Sequence, residues 1–348
     1  MVTSELRIIL VFLTSLIAVV FLIPKLARIA TRIGLVDQPG LRKVHDRPLP
    51  LVGGIAMVIS ATFSFLLFVP LVGLRGYFLG VALLLLVGFL DDFREIGHRE
   101  KFLAQILATS MLFYFSDVAL QSFGDLLGLG SIDVGGNVVV IWLVTVFCVV
   151  GVINAINLLD GLDGLAGGFC FLAFLTFAVH SSMAADTPAV LLNLALVGAV
   201  LGFLRYNWNT AKVFMGDAGS LCLGFSLAFM ALWLTQGEGA GVQPITALLV
   251  LAVPIVDTLT VMTKRILRGQ SPFRPDMYHL HHIFLRYGVS KVWAVRFILA
   301  LSGLFCILSL FGEVYAWPQW LLFAVFMLYF TAYITSSFYI IRLMRVSR

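Results

Sequence analysis

Long apolar runs separated by short polar connections repeat along the whole chain, and their spacing decides the architecture. Stretches of about 17–25 apolar residues can each cross a hydrocarbon core of roughly 30 Å as a helix. They fall at approximately 7–24, 51–70, 74–91, 101–116, 138–156, 165–182, 188–204, 215–235, 243–263, 294–312 and 318–341. Because the runs are continuous rather than alternating, a membrane β-barrel is excluded. The pattern predicts an all-α, polytopic integral membrane protein of about eleven transmembrane helices, forming one domain over residues 1–348. In the first run the basic residues Lys25, Arg28 and Arg32 follow the apolar core, and no small-x-small cleavage site is visible. It therefore reads as a retained span and not as a signal peptide.

Composition agrees with this reading. The chain is 61% hydrophobic and only 12% charged, about half the charge of a soluble domain. The four cysteines, Cys148, Cys170, Cys222 and Cys306, lie inside apolar runs without a CxxC pair, as small packing residues do. Charge adds the orientation. Of the 23 Lys and Arg residues, all except Arg7 and Arg75 fall in alternate connections on one side of the predicted spans. By the positive-inside rule that side is the cytoplasm, which places the N-terminus outside and the C-terminus inside. The opposite face carries Glu5, Asp117, Asp125, Asp133, Asp186, Glu238 and Glu313. The net charge of +5 is thus explained by sidedness and anionic lipid head groups, and calls for no nucleic acid. The longest cytoplasmic connection is expected at about 264–290.

Five polar clusters fall on the predicted cytoplasmic face. In DQPGLRKVHDRPLPLVGG (Asp37–Gly54), Pro39, Gly40, Pro48 and Pro50 forbid a regular helix, and Lys43, His45 and Arg47 suit an anionic ligand at the membrane surface. LDDFREIGHREKF (Leu90–Phe102) closes the third span. Its neighbouring carboxylates Asp91 and Asp92 repel each other unless a cation or proton lies between them. NAINLLDGLDGLAGG (Asn154–Gly168) sets Asn154, Asn157, Asp160 and Asp163 three residues apart on one drifting stripe. Gly164 and Gly168 would let helices approach closely. Gly161 and Gly164 would also leave backbone amides free for phosphate oxygens.

FMGDAGS (Phe214–Ser220) places Asp217 at the start of the eighth span, either as an N-cap or as a hard-metal ligand. SPFRPDMYHLHH (Ser271–His282) gathers His279, His281 and His282 in a spacing that matches no zinc pattern. Phosphate binding suits them better. Asp257 lies inside the ninth span, two turns before Lys264, and should face a cytoplasmic cavity because an unpaired carboxylate in lipid is costly. Oxygen ligands this few suggest Mg²⁺ or Mn²⁺ completed by substrate phosphates, so the polar stripe should grip a metal-bound, phosphorylated ligand.

Together, and in this order, DQPGLRKVH, LDD, NAINLLDGLDGLAGG, MGDAGS and SPFRPDMYHLHH resemble the polyprenyl-phosphate N-acetylhexosamine-1-phosphate transferases of bacterial envelope synthesis. The resemblance covers nearly the whole chain. It departs at Glu95, where the family's DDxxD motif has a third aspartate, and at HLHH, which interrupts the three-histidine run of the peptidoglycan-precursor branch.

The resemblance implies an enzyme of the bacterial cytoplasmic (inner) membrane with its active site on the cytoplasmic face. Its substrates would be undecaprenyl phosphate and a UDP-N-acetylhexosamine, N-acetylglucosamine first. FucNAc, QuiNAc, GalNAc and MurNAc-pentapeptide remain as alternatives. The family's matching positions imply Mg²⁺ (or Mn²⁺) on Asp217 and Asn157. They imply Asp160 and Asp163 at the nucleotide end, and Asp91 and Asp92 at the lipid phosphate as base or electrostatic orienter. His279, His281, His282 and Arg274 would bind phosphate or sugar, with Asn154, Lys43, His45 and Arg47 also on the substrate side. A homodimer is left open. The competing class is a transporter, which would need ionisable groups at mid-membrane and broken helices in paired halves; here the carboxylates gather at one face.

Overall fold

The computed structural model describes residues 4–38, 47–69, 73–237, 240–271 and 278–346, with side chains described as far as Tyr339. Every predicted apolar run lies on a helix or on a broken helix pair. The helices are α1 (Ser4–Ile33), α2 (Gly53–Phe68), α3 (Arg75–Arg94), α4 (His98–Ser116) and α5 (Val138–Leu159). They continue with α6 (Leu165–Met183), α7 (Thr187–Asn207), α8 (Gly216–Thr235), α9 (Pro244–Val250), α10 (Ala252–Leu267), α11 (Leu280–Arg286), α12 (Lys291–Val314) and α13 (Gln319–Val346). Eight of the described helices are long and apolar enough to span a membrane, and nine spans result if the bent pair α9 and α10 counts as one. α2 is shorter, at 16 residues, and α4 opens on the charged run His98–Lys101. The protein is a multi-pass helical membrane protein.

The structure departs from the predicted elements in four places. The first loop is not purely irregular: β1 (Val36–Asp37) and β2 (Leu49–Pro50) pair antiparallel, because its prolines and glycines block helix but permit extended backbone. α1 extends past residue 24, since its basic residues continue the helix beyond the apolar core. The ninth run is bent by 75° between α9 and α10. Pro254, in the first turn of α10, has no amide to offer the preceding turn, so the two halves meet at Leu251 instead of continuing. The long connection after α10 is shortened by α11.

α8 forms the axis. It is apolar all round, as a helix at the centre of a bundle must be, and nearly every residue of it is buried. α2, α3, α5 and α6 pack around it. Two glycines set how close they come. A Cβ at Gly54 would lie 2.1 Å from the Gly219 amide nitrogen, and one at Gly88 would lie 2.5 Å from Ala218 Cα. α2 and α3 therefore touch the first turn of α8 backbone to backbone. The chain entering α8 is also tied to the hairpin: Phe214 N donates to Pro50 O, while Gly53 N and Gly54 N donate to Phe214 O and Met215 O. α1 to α5, α12 and α13 carry most of the exposed apolar residues, among them Phe21, Phe63, Leu86, Phe115, Phe147, Leu304 and Leu328, as lipid-facing helices do.

At the other end, side-chain caps define the helix starts. Asp186 accepts from Ala189 N ahead of Pro188 to open α7, and its second oxygen takes the Trp233 indole at 2.6 Å. Asn137 caps α5 through Val139 N and Val140 N.

Candidate active site

The C-terminal end of α3, the start of α4, the end of α5 and the first turn of α8 meet at one point. Lys101, in the first turn of α4, holds it together. Its Nζ donates to Asp91 Oδ2 at 2.9 Å and to Asp217 Oδ2 at 2.8 Å. Asn157, from the last turn of α5, donates through Nδ2 to Asp217 Oδ1 at 3.0 Å and to Ser220 Oγ at 2.8 Å. The sequence reading counted Lys101 only among the charges that set sidedness. Its position just after a carboxylate pair, where a buried positive charge would relieve repulsion, was the signal that could have found it.

Asp92 turns away from its neighbour. Its two oxygens accept from the amides of Asp217 at 2.7 Å and Ala218 at 3.1 Å. The N-cap expected of Asp217 is thus supplied in trans by Asp92, which satisfies amides that α8 cannot pair internally. Gly216, at φ +71°, makes room: a Cβ there would lie 2.4 Å from Asp92 Oδ2. Glu95 closes α3 in the left-handed conformation, with its amide on Asp91 O and its side chain exposed.

The asparagine–aspartate stripe is only half helical. α5 stops at Leu159, and Asp160 and Asp163 lie in the turn before α6. Gly164, at φ +77°, starts α6. The amides expected to be free are occupied: Gly161 N donates to Leu159 O, and Gly164 N to Asn207 Oδ1 at 2.8 Å. A turn that reverses between two packed helices has to pair its own backbone, which overrides a phosphate-binding role for those groups. Asp163 Oδ2 accepts from Ala211 N at 3.0 Å, tying the turn to the segment after α7. Asp160 makes no such bond among the described residues. Loss of hydration pushes its carboxyl up to about 7, with the Asp217 and Asp163 charges adding to the shift. One side of Asp160 remains open to solvent, so crowded negative charge matters there as well as burial. Asn154 spends its amide protons on Gln105 Oε1 and Val150 O, joining α5 to α4.

The histidines approach from α11. A Cβ on Gly161 would lie 2.3 Å from His281 Nε2, so His281 rests on the aspartate-bearing turn. Burial, with His282 beside it, pushes His281 down to about 3 and keeps its ring neutral. His279 and His281 stack with ring centroids 6.1 Å apart, and His282 lies 4.1 Å from His281. Arg268 and Arg286 flank Tyr278 at 5.0 and 5.3 Å. Arg47 is exposed at the foot of the hairpin. Lys43, His45 and Arg274 lie outside the described residues.

No group of three or more His, Cys, Asp or Glu converges as a metal cage among the described residues. What converges is a pair of hard-oxygen carboxylates, Asp91 and Asp217, with an ammonium between them and the Asn157 amide alongside. A divalent ion there would need phosphate oxygens and water to fill its shell, as Mg²⁺ commonly does. The donor chemistry fits it.

The end of α3 and the start of α8 thus meet in bridged carboxylates, beside an aspartate turn and a histidine arm. A family model for Glycosyl transferase family 4 matches residues 74–235, and the chain belongs to that family of enzymes. Among its relatives it is 33% identical to the undecaprenyl-phosphate alpha-N-acetylglucosaminyl 1-phosphate transferase of Pasteurella multocida, over 99% of this chain and 95% of the relative. It is 34% identical to the enzyme of that name from Yersinia pestis, over 99% and 94%. With that of Escherichia coli K12 it shares 30% over 88% and 84%.

Proposed function

We propose that the protein transfers N-acetylglucosamine 1-phosphate from UDP-N-acetylglucosamine to undecaprenyl phosphate, releasing UMP. An oxygen of the lipid phosphate forms the new bond to the β-phosphorus. The bond from that phosphorus to the bridging oxygen breaks, and the electron pair leaves with UMP. The observation that carries this reading is the Asp91–Lys101–Asp217 bridge, with Asn157 attached, at the meeting point of four helices. Reactions of this kind are governed by positioning and charge neutralisation, and this cluster can do both.

Asp217 and Asn157 hold Mg²⁺ or Mn²⁺, which when bound neutralises charge on the diphosphate. Lys101 moves from carboxylate to phosphate oxygen as substrate enters. Asp91, freed from Lys101, orients the lipid phosphate, while Asp92 acts at one remove by fixing the start of α8. Asp160 and Asp163 border the nucleotide, and the α11 histidines bind phosphate or sugar. Lys43, His45, Arg47 and Arg274 supply positive charge around the entrance. The eleven apolar segments cross the inner membrane with the N-terminus outside and the C-terminus and active site at the cytoplasmic face.

The test is turnover of purified protein in detergent with undecaprenyl phosphate and a panel of UDP-sugars. UMP release and a lipid-linked sugar diphosphate are expected with UDP-GlcNAc, lost in EDTA and restored by Mg²⁺ or Mn²⁺. UMP release only with another UDP-sugar would replace the assigned substrate. No UMP release with any of them would overturn the reading.

A further inference from the structure

Asp257 has three hydrogen-bond donors and no catalytic assignment. It lies in α10 with only 4% of its surface exposed. Oδ2 takes His279 Nδ1 at 2.8 Å, and Oδ1 takes Leu280 N at 2.9 Å together with the Tyr333 hydroxyl from α13. All three partners point at oxygen lone pairs, so Asp257 is satisfied as an ionised acceptor. That leaves the proton of His279 on Nδ1. The other ring nitrogen, Nε2, is buried and has no partner among the described residues. A buried polar atom left unpaired costs about 1–3 kcal/mol, so the fold tolerates an unmet group on the arm that stacks over the aspartate turn.

We infer that Asp257, held by Tyr333, is a positioning residue that fixes the tautomer and aim of His279 so that Nε2 accepts from a hydroxyl of the nucleotide sugar. The inference rests on the transferase reading above. With the proton held on Nδ1, Nε2 keeps its lone pair and accepts from a hydroxyl of the bound nucleotide sugar. A carboxylate behind an imidazole orients it in this way in metal sites and hydrolases alike. Asp257 sits on the bent half of the α9–α10 pair, so the kink at Leu251 is what carries it to the histidine arm. Tyr333 adds a further constraint, linking the last long helix to the site without touching a substrate.

The test is a double-mutant cycle on kcat/KM for UDP-GlcNAc, paired with calorimetric binding of UDP-GlcNAc and of UDP. Asp257→Asn keeps the shape and removes the charge. It should lower kcat/KM on the order of tenfold to a hundredfold, weaken UDP-GlcNAc binding, and be partly rescued by Asp257→Glu. Tyr333→Phe, the milder change, should lose a few-fold. In a His279→Gln background both substitutions should cost less than about twofold, because the group they act through is gone. If Asp257→Asn fails to fold, Tyr333→Phe decides alone. Additive losses in the His279→Gln background would overturn the inference while leaving the transferase reading intact. Wild-type protein that neither binds nor turns over UDP-GlcNAc would overturn the transferase reading, and the inference with it.

Discussion

Replacing Asp92 by Asn separates the two adjacent aspartates by what each is bonded to. The Asp92 carboxylate accepts two backbone amides at the start of α8, at 2.7 and 3.1 Å. An asparagine keeps one acceptor oxygen and turns an NH₂ group toward the second amide. One charge-assisted bond worth about 1.5–3 kcal/mol is lost, and a donor is set against a donor. Relief of repulsion from Asp91 and Asp217 offsets part of this, leaving a net cost of about 1–2 kcal/mol, in the range of a lost helix cap.

Asp91 makes its side-chain bond to Lys101 at 2.9 Å, and neither side chain is fully buried. Lys101 keeps Asp217 as a partner at 2.8 Å when Asp91 is neutralised, so Asp91→Asn leaves no buried charge unpaired and also removes a charge next to Asp217. Asp92→Asn should therefore lower the apparent melting midpoint in detergent by several degrees and reduce turnover by displacing Asp217. A misplacement of about 1 Å can cost on the order of a hundredfold. Asp91→Asn should leave the midpoint within a degree or raise it, and still abolish most turnover. Thermal unfolding followed by tryptophan fluorescence, beside UMP release, makes the comparison. If Asp92→Asn melts like the wild type and Asp91→Asn melts lower, the capping argument is wrong.

Three further outcomes are expected. Lys101→Met should leave Asp91 and Asp217 facing each other without a counter-charge, so resting protein should bind Mn²⁺ more tightly by electron paramagnetic resonance while turnover falls; weaker Mn²⁺ binding would show that Lys101 does not compete for Asp217. Asp160 should lose its proton near pH 7, so more of it is ionised as pH rises, and the acidic limb of kcat/KM should carry an inflection there that Asp160→Asn removes. A cysteine placed beside Asp125 should react with an impermeant thiol reagent from outside intact cells, and one beside Tyr278 should not; the reverse pattern would invert the orientation.

The positions of the helices were legible because membrane crossing is a local requirement: about twenty apolar residues in a row must pair their backbone internally. Each predicted run lies on helix for this reason. The candidate chemistry was legible for a related one, since a carboxylate beside a bilayer is too costly to be incidental. Asp91, Asp217 and Asp257 were marked as candidates on that ground, and Asn157 and the α11 histidines by their place in polar clusters. Partnership was not legible, because it depends on close approach between distant segments. That Lys101 bridges Asp91 and Asp217 and that Asp92 caps a helix 125 positions away follow from how α3 presses onto α8, and the glycine amides of the 160–164 turn are occupied by Leu159 and by Asn207 of α7. Gly88 permits that contact of α3 with α8, yet its place in the chain says nothing about which backbone it meets. Asp257 shows the same division. Its cost in a membrane span marks it from sequence alone, while the bend at Leu251 and the return of α11 and α13 decide that its partners are His279 and Tyr333.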